Sequence, residues 1–236
     1  MRTSRIGVLF FPGTNCHAET VAALELCGAS APLVYHQQIL SGSTNILDFD
    51  GIWIPGGFAW GDHWKAGRVA GIIMRDHLLK FVATKRPIAG ICNGDQVLFE
   101  AGLFDSPEHA GGALIQNECG HFVSRDVNII VEDTGTPWTR GIEHLEFNVP
   151  VAHGQGRWRT PPDGAPHLKV AFRYVKNGHP TQEFPFNPSG SPHGVAGIVY
   201  DNVMGMMPHP ERVARPELGY APGLHVIRNF VRYAAA

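Results

Sequence analysis

Pro87-Ile88-Ala89-Gly90-Ile91-Cys92-Asn93-Gly94-Asp95-Gln96 has the order of a buried strand, a sharp turn and the start of a helix. Ile88–Ile91 is a short apolar run suited to a strand covered on both faces, and residues 95–101 have helical character closed by Gly102. Between them Cys92 stands in a G-x-C-x-G pattern, the cysteine form of a nucleophile elbow. A strand-to-helix turn that tight strains the backbone of its central residue, so the positions two before and two after must lack bulk. Gly90 and Gly94 meet that need. The turn lifts the sulfur to the carboxyl end of the sheet, where open α/β folds bind ligands. It also sets Cys92 at a helix N-terminus, where N–H groups and the dipole favour a thiolate, and places the N–H of Asn93 to receive an oxyanion. A cysteine in a plain glycine turn is the bland alternative; the flanking strand and helix patterns favour the elbow.

Outward from this stretch the first half alternates strands and helices. Strands are expected at 6–11, 31–35 and Gly51–Ile54, the first ended by Pro12-Gly13 and the last by Pro55-Gly56-Gly57. Helices are expected at about 16–27 and 66–84. Continuous apolar strands alternating with helices imply a mostly parallel sheet covered on both faces. From about residue 114 the pattern changes. Residues 122–131 and 149–152 read as strands in hairpin or mixed arrangements, followed by a loop rich in Gly, Pro and His through residue 193. Residues 194–200 and Val203–Met206 then flank an Asp201-Asn202 turn, and a last helix spans about 224–233. No repeat, low-complexity tract or linker interrupts the chain, so one domain over residues 1–236 is expected.

Composition narrows the function. The 236 residues are 44% hydrophobic and 17% charged, and 19 Lys+Arg against 21 Asp+Glu leave a net charge of −2. A balance so near zero gives no electrostatic reason for a nucleic-acid or anionic-membrane partner, and points to a small molecule or another protein. Arg2 and Arg5 precede an apolar run, but it lasts only about six residues before Pro12-Gly13 and lacks a small-residue cleavage site, which fits a strand better than a signal peptide. No stretch approaches the roughly 20 apolar residues of a membrane span, so a cytoplasmic protein is expected.

Cys16, Cys27, Cys92 and Cys119 form no C-x-x-C pair and no zinc knuckle. Cys16, Cys27 and Cys119 read as small buried apolar residues; Cys92 does not. The 13 histidines include no H-x-x-x-H helix pattern, so neither a structural nor a catalytic metal is expected. His153, His179 and His193 lie in Gly/Pro-rich loops and read as surface residues, while His17 and His63 fall near the presumed cleft. Neither Gly56-Gly57 nor Gly111-Gly112 is followed by G-K-[ST], which speaks against ATP binding by this chain. Trp60 and Trp64 read equally as a docking pair near the site mouth and as core.

A nucleophilic cysteine needs a base, and the base needs an orienter. Met206-Met207-Pro208-His209-Pro210-Glu211-Arg212 supplies both. In an extended segment residues i and i+2 point the same way, which would lay Glu211 beside the His209 imidazole, where a carboxylate fixes the tautomer and stabilises the imidazolium. The bland reading is a surface loop with a Glu211–Arg212 ion pair.

The elbow and the Pro-His-Pro-Glu segment together resemble the class I (triad) glutamine amidotransferases. Four blocks narrow the likeness to the glutaminase subunits of phosphoribosylformylglycinamidine synthases: Phe11 to Cys16 (FPGTNC), Ile54 to Asp62 (IPGGFAWGD), Ala152 to Arg157 (AHGQGR) and Gly205 to Arg212 (GMMPHPER). Asn187 to Ser191 (NPSGS) with Val195 to Ile198 (VAGI) is a weaker fifth. The resemblance implies a flavodoxin-like three-layer α/β sandwich with added antiparallel strands, and hydrolysis of glutamine to glutamate and ammonia without a cofactor. Cys92 would form a thioester, His209 would transfer protons and Glu211 would orient it. The N–H groups of Asn93 and Gly57 would form the oxyanion hole, and Gln96 would contact the substrate glutamine. The implied partners are a large ATP-dependent synthetase subunit, which consumes the ammonia in de novo purine synthesis, and a small bridging subunit.

Two positions depart from the family pattern. Asp95 replaces an uncharged residue and, near the nucleophile, would raise the thiol pKa; Gln155 replaces a glutamate. Both leave open a paralogue serving another synthetase. Two further readings compete. Cysteine peptidases or deglycase-like enzymes use a similar elbow, but the downstream His-x-Glu speaks against them. A non-catalytic relative of the same fold would have no reason to keep Cys92, His209 and Glu211 together.

Overall fold

The structure is a computed structural model that describes residues 3–161 and 163–236; Met1 and Arg2, at the basic start of the chain, lie outside them. Strands β1 (Ile6–Phe10), β2 (Leu33–Tyr35), β3 (Gly51–Ile54) and β4 (Ile88–Ile91) alternate with helices α1 (His17–Leu26), α2 (His36–Leu40), α3 (Arg68–Val82) and α4 (Asn93–Glu100). The second half adds β5 (Ala113–Ile115), β6 (Val123–Val131), β7 (Glu146–His153), β8 (Arg157–Arg159), β9 (Lys169–Lys176), β10 (His179–Pro180), β11 (Val195–Tyr200) and β12 (Val203–Met206), and closes with α5 (Gly223–Ala234).

The main sheet runs β2-β1-β3-β4-β12-β11-β9-β6-β7, with β10 paired to β9. Its first five strands are parallel and the remaining pairings antiparallel. The parallel half has the flavodoxin-like order with β12 as its fifth strand. β5 and β8 form a separate two-stranded sheet.

Burial explains the continuous apolar strands. A Cβ on Gly51 would lie 3.0 Å from the Phe230 ring of α5, and the Trp53 ring meets Phe230 edge-on at 5.0 Å, so one face of β3 packs on α5. On the other face Ile54 meets α4, where a Cβ on Gly94 would lie 3.1 Å from the Ile54 Cβ, and Ile52, Trp53 and Ile54 are all buried. Such a strand has no solvent face to alternate toward. Trp53, Phe81, Phe230, Phe172 and Tyr174 anchor a core that extends through both halves of the sheet. Among the described residues, no helix is long and apolar enough to cross a membrane.

The strands and helices expected in the first half all form, with ends shifted by one or two residues. The Asp201-Asn202 hairpin forms as well, with Asp201 at φ 51° and the Asn202 side chain donating to the carbonyls of Val82 and Arg86. The loop expected through residue 193 is corrected: it contains β8, β10 and β9, and β9 is a central strand. Lys169, Arg173 and Lys176 break up its apolar run, and Arg173 is accommodated by an ion pair with Glu132 at 2.7 Å. Short α2 was also not foreseen.

Candidate active site

Cys92 has φ 52° and ψ −106°, a strained conformation for a residue with a side chain, of order 1–3 kcal/mol. It joins β4 to α4, its N–H bonds to the Met206 carbonyl of β12, and its own carbonyl accepts from Gln96. Both elbow glycines are required by contact. A Cβ on Gly90 would lie 2.5 Å from the Gly94 carbonyl oxygen, and one on Gly94 would lie 2.0 Å from that of Ile54.

Cys92 is buried, and its thiol donates to the Ala152 carbonyl at 3.4 Å. Burial pushes its pKa well above the ordinary thiol value, with smaller upward contributions from Cys16 and Glu211; the backbone N–H of Asn93 acts in the opposite direction. The helix-terminal effect expected from the sequence is therefore present but outweighed by desolvation. In this arrangement Cys92 is a thiol.

His209 and Glu211 are both buried, and Nδ1 of His209 lies 2.6 Å from Oε1 of Glu211. An ionised carboxylate only accepts, so the shared proton sits on Nδ1 and leaves a lone pair on Nε2. The geometry corrects one expectation. Pro210–Val213 is a turn of 3₁₀ helix rather than an extended segment, and Glu211 reaches the imidazole from its first turn. Nor does Glu211 pair with Arg212, whose guanidinium approaches Glu19 and donates to Cys16 Sγ at 3.1 Å. The ring of His209 packs on Gly56, where a Cβ would come within 2.6 Å of Cε1.

Cys92 and His209 line one small cavity together with Cys16, Gly57, Ala152 and Arg212. The structure thus brings residues 92 and 209 together, but the hydrogen bond between them is not made: Nε2 of His209 has no partner among the described residues. Gly57 sits at φ 154° between the two glycine-rich loops. Phe58 N–H bonds to the Gly13 carbonyl, and the N–H groups of Asn15 and Cys16 bond to that of Gly56.

A second, adjoining cleft of about 360 Å³ is lined by Gly57, Asp62, Cys92, Gln96, Ala152 and Gln155, with Phe58 and Phe122 at its rim. Asn93 holds its floor: its Oδ1 accepts from Ala59 N–H at 2.9 Å, and its amide donates to Gln96 at 2.8 Å and to Asp62 at 3.1 Å. Gln96 in turn donates to the Gln155 carbonyl at 2.7 Å. Burial raises the Asp62 pKa to about 6, against the downward pull of the Asn93 bond.

Several other expectations are revised. Asp95 does not govern the Cys92 thiol, on which Cys16, Glu211 and Arg212 act instead. It turns under the sheet, where its Oδ1 would be 1.8 Å from a Cβ on Gly205, and burial raises its pKa well above the carboxylate range. His153 is no surface residue: it ends β7 buried, bonds to Asn117 at 3.0 Å, and burial lowers its pKa to about 3. His179 and His193 are exposed, as is Trp64, whereas Trp60 packs on Phe11 and His36. Cys16 is buried as expected but is not among apolar neighbours; it adjoins Asn15, Arg212 and His209. Membership of the FPGTNC, IPGGFAWGD and GMMPHPER blocks is the only sequence signal that marks Cys16, Asp62 and Arg212.

Residues 3–220 match the CobB/CobQ-like glutamine amidotransferase domain family. The phosphoribosylformylglycinamidine synthase subunit PurQ of Thermus thermophilus is 37% identical, covering 98% of this chain and 99% of that protein. The PurQ subunit of Pyrobaculum aerophilum is 41% identical over 91% of this chain and 90% of its own. Among solved structures, PurLQS from Thermotoga maritima superposes with a TM-score of 0.82 at 33% identity, covering 98% and 99% of the two chains. A glutamine amidotransferase from Thermotoga maritima shares the fold alone, with a TM-score of 0.62 at 11% identity and 100% of both chains covered. With full-length likeness at the PurQ level and an elbow cysteine facing a His–Glu pair across one cavity, the chain belongs to the phosphoribosylformylglycinamidine synthase PurQ family of glutamine amidotransferases.

Proposed function

We propose that Cys92, His209 and Glu211 are the catalytic triad with which this glutaminase hydrolyses glutamine, in one domain spanning the chain and acting in the cytoplasm. The observation that carries the assignment is the buried 2.6 Å His209–Glu211 pair on the cavity that Cys92 also lines.

Glutamine enters the cleft floored by Asn93 and Gln96, with its side-chain amide over Cys92. Nε2 of His209 takes the thiol proton as sulfur attacks the amide carbon. Concerted transfer suits a thiol whose burial disfavours a free thiolate. The N–H groups of Asn93 and Gly57 receive the oxyanion. The imidazolium, stabilised by Glu211, returns the proton to the leaving nitrogen, and ammonia departs as the C–N bond breaks. Water, deprotonated at the same Nε2, then adds to the thioester. Collapse releases glutamate and restores the Cys92 thiol, so glutamine plus water gives glutamate plus ammonia. Closing the open His209–Cys92 contact is part of activation, and partner docking is a natural cause.

The ammonia passes to a large ATP-dependent synthetase subunit, with a small bridging subunit, as the three-part designation of the Thermotoga maritima PurLQS relative suggests. Reconstitution with those subunits tests this. Cys92→Ala abolishes glutamine-dependent product while free ammonia still supports synthesis, and a glutamine analogue with a reactive ketone labels Cys92 alone. Full glutaminase activity in Cys92→Ala refutes the assignment.

A further inference from the structure

Cys16, His209 and Glu211 present one metal-ligating atom each, all within 4.8 Å of one another, and all three residues are buried. No sequence spacing announces the group, because Cys16 comes from the loop after β1 and the other two from the loop after β12. Sγ of Cys16 lies 3.8 Å from Nδ1 of His209, and the same nitrogen lies 2.6 Å from Oε1 of Glu211. Oε2 of Glu211 and Nε2 of His209, both buried, have no partner among the described residues.

Thiolate, imidazole and carboxylate together form a donor set for zinc. Zn–S near 2.3 Å and Zn–N near 2.0 Å at a tetrahedral angle separate sulfur from nitrogen by about 3.5 Å, close to the gap already present. The His209–Glu211 hydrogen bond must open, and the second carboxylate oxygen is free to take up the ion. Charge also balances. Arg212 is offset by Glu19, and a Cys16 thiolate with the Glu211 carboxylate offsets the two charges of the ion.

We propose that Cys16, His209 and Glu211 form an inhibitory Zn²⁺ site, with water in the fourth position facing the cavity beside Cys92. On binding, Cys16 releases its proton to solvent, and the His209 proton moves from Nδ1 to Nε2. Zinc then holds the nitrogen that Glu211 held, and the Nε2 lone pair that would deprotonate Cys92 is gone. The ion is neither structural nor catalytic: it locks the base in the wrong tautomer.

The site is read on the full chain with Co²⁺ as a spectroscopic substitute, independently of glutaminase activity. The expected result is one equivalent bound, with a thiolate-to-cobalt charge-transfer band and intense tetrahedral ligand-field bands, all removed by Zn²⁺. Cys92→Ala keeps the spectrum, whereas Cys16→Ala loses the thiolate band and weakens binding at least about 100-fold. In the wild type, Zn²⁺ suppresses glutamine hydrolysis and a chelator restores it. Folded wild-type protein without a thiolate–cobalt band overturns the proposal whatever the variants do. So does a band that survives Cys16→Ala and vanishes in Cys92→Ala, which would place the metal on the nucleophile.

Discussion

Gly94 and Ile54 touch backbone to backbone: a Cβ on Gly94 would sit 2.0 Å from the Ile54 carbonyl oxygen. The first turn of the elbow helix is therefore pressed against the neighbouring parallel strand, and the position of Cys92 depends on that closeness. Gly94→Ala must push α4 away from β3. The expected cost is about 1–3 kcal/mol in urea unfolding, with glutaminase activity falling further than stability because Cys92, the proposed nucleophile, moves.

In the proposed triad the His209–Glu211 contact acts on orientation and charge rather than on binding. Glu211→Gln keeps the shape, but its amide can donate to Nδ1 and so favours the wrong tautomer. Steady-state kinetics on the reconstituted complex should show kcat reduced by about 10³–10⁴-fold with KM little changed. A KM rise at constant kcat would place Glu211 in substrate binding instead.

Asp62 links the cleft to stability. Its pKa in the folded protein is about 6, raised by burial from an ordinary 3.8. Between those values the native state binds more protons than the unfolded chain, so this group's contribution to stability falls as pH rises from about 4 to about 6. Asp62→Asn removes that slope. Urea midpoints of the two proteins at pH 4.5 and 7 should diverge, with the variant relatively more stable at the higher pH.

Asp95 carries the same sign through deeper burial. Its carboxyl is held protonated in the folded state, with Oδ1 unpaired among the described residues, whereas the unfolded chain ionises it. Asp95→Asn has nearly the same volume and no proton to retain. Its stability relative to wild type should increase between pH 5 and pH 8, measured by denaturant unfolding at each pH. A gain that does not vary with pH would mean that the carboxyl is ionised in the fold.

Much of this was legible locally. The elbow could be read because a strand-to-helix turn constrains four or five consecutive residues, and Gly90, Cys92 and Gly94 satisfy those constraints without help from elsewhere. The parallel strands could be read because burial on both faces leaves an uninterrupted apolar run. β9 could not: Arg173 is compensated across the sheet by Glu132, a partner 41 residues away, Lys176 by Glu183, and Lys169 donates to the Thr134 carbonyl. The surface reading of His153 failed for a similar reason, since the Asn117 side chain that bonds its Nδ1 is 36 residues distant.

By itself, the chain determined where the elbow at Cys92 turns, which residues could serve as base and orienter, and which half of the sheet is parallel, because each depends on neighbours along the backbone. Only the tertiary structure decided the rest. It set Cys16 beside His209, turned Asp95 under β12 rather than toward the sulfur, and left Cys92 a protonated thiol whose bond to the imidazole is not yet made. Those outcomes follow from desolvation and from contacts between loops nearly two hundred residues apart, which no local pattern encodes.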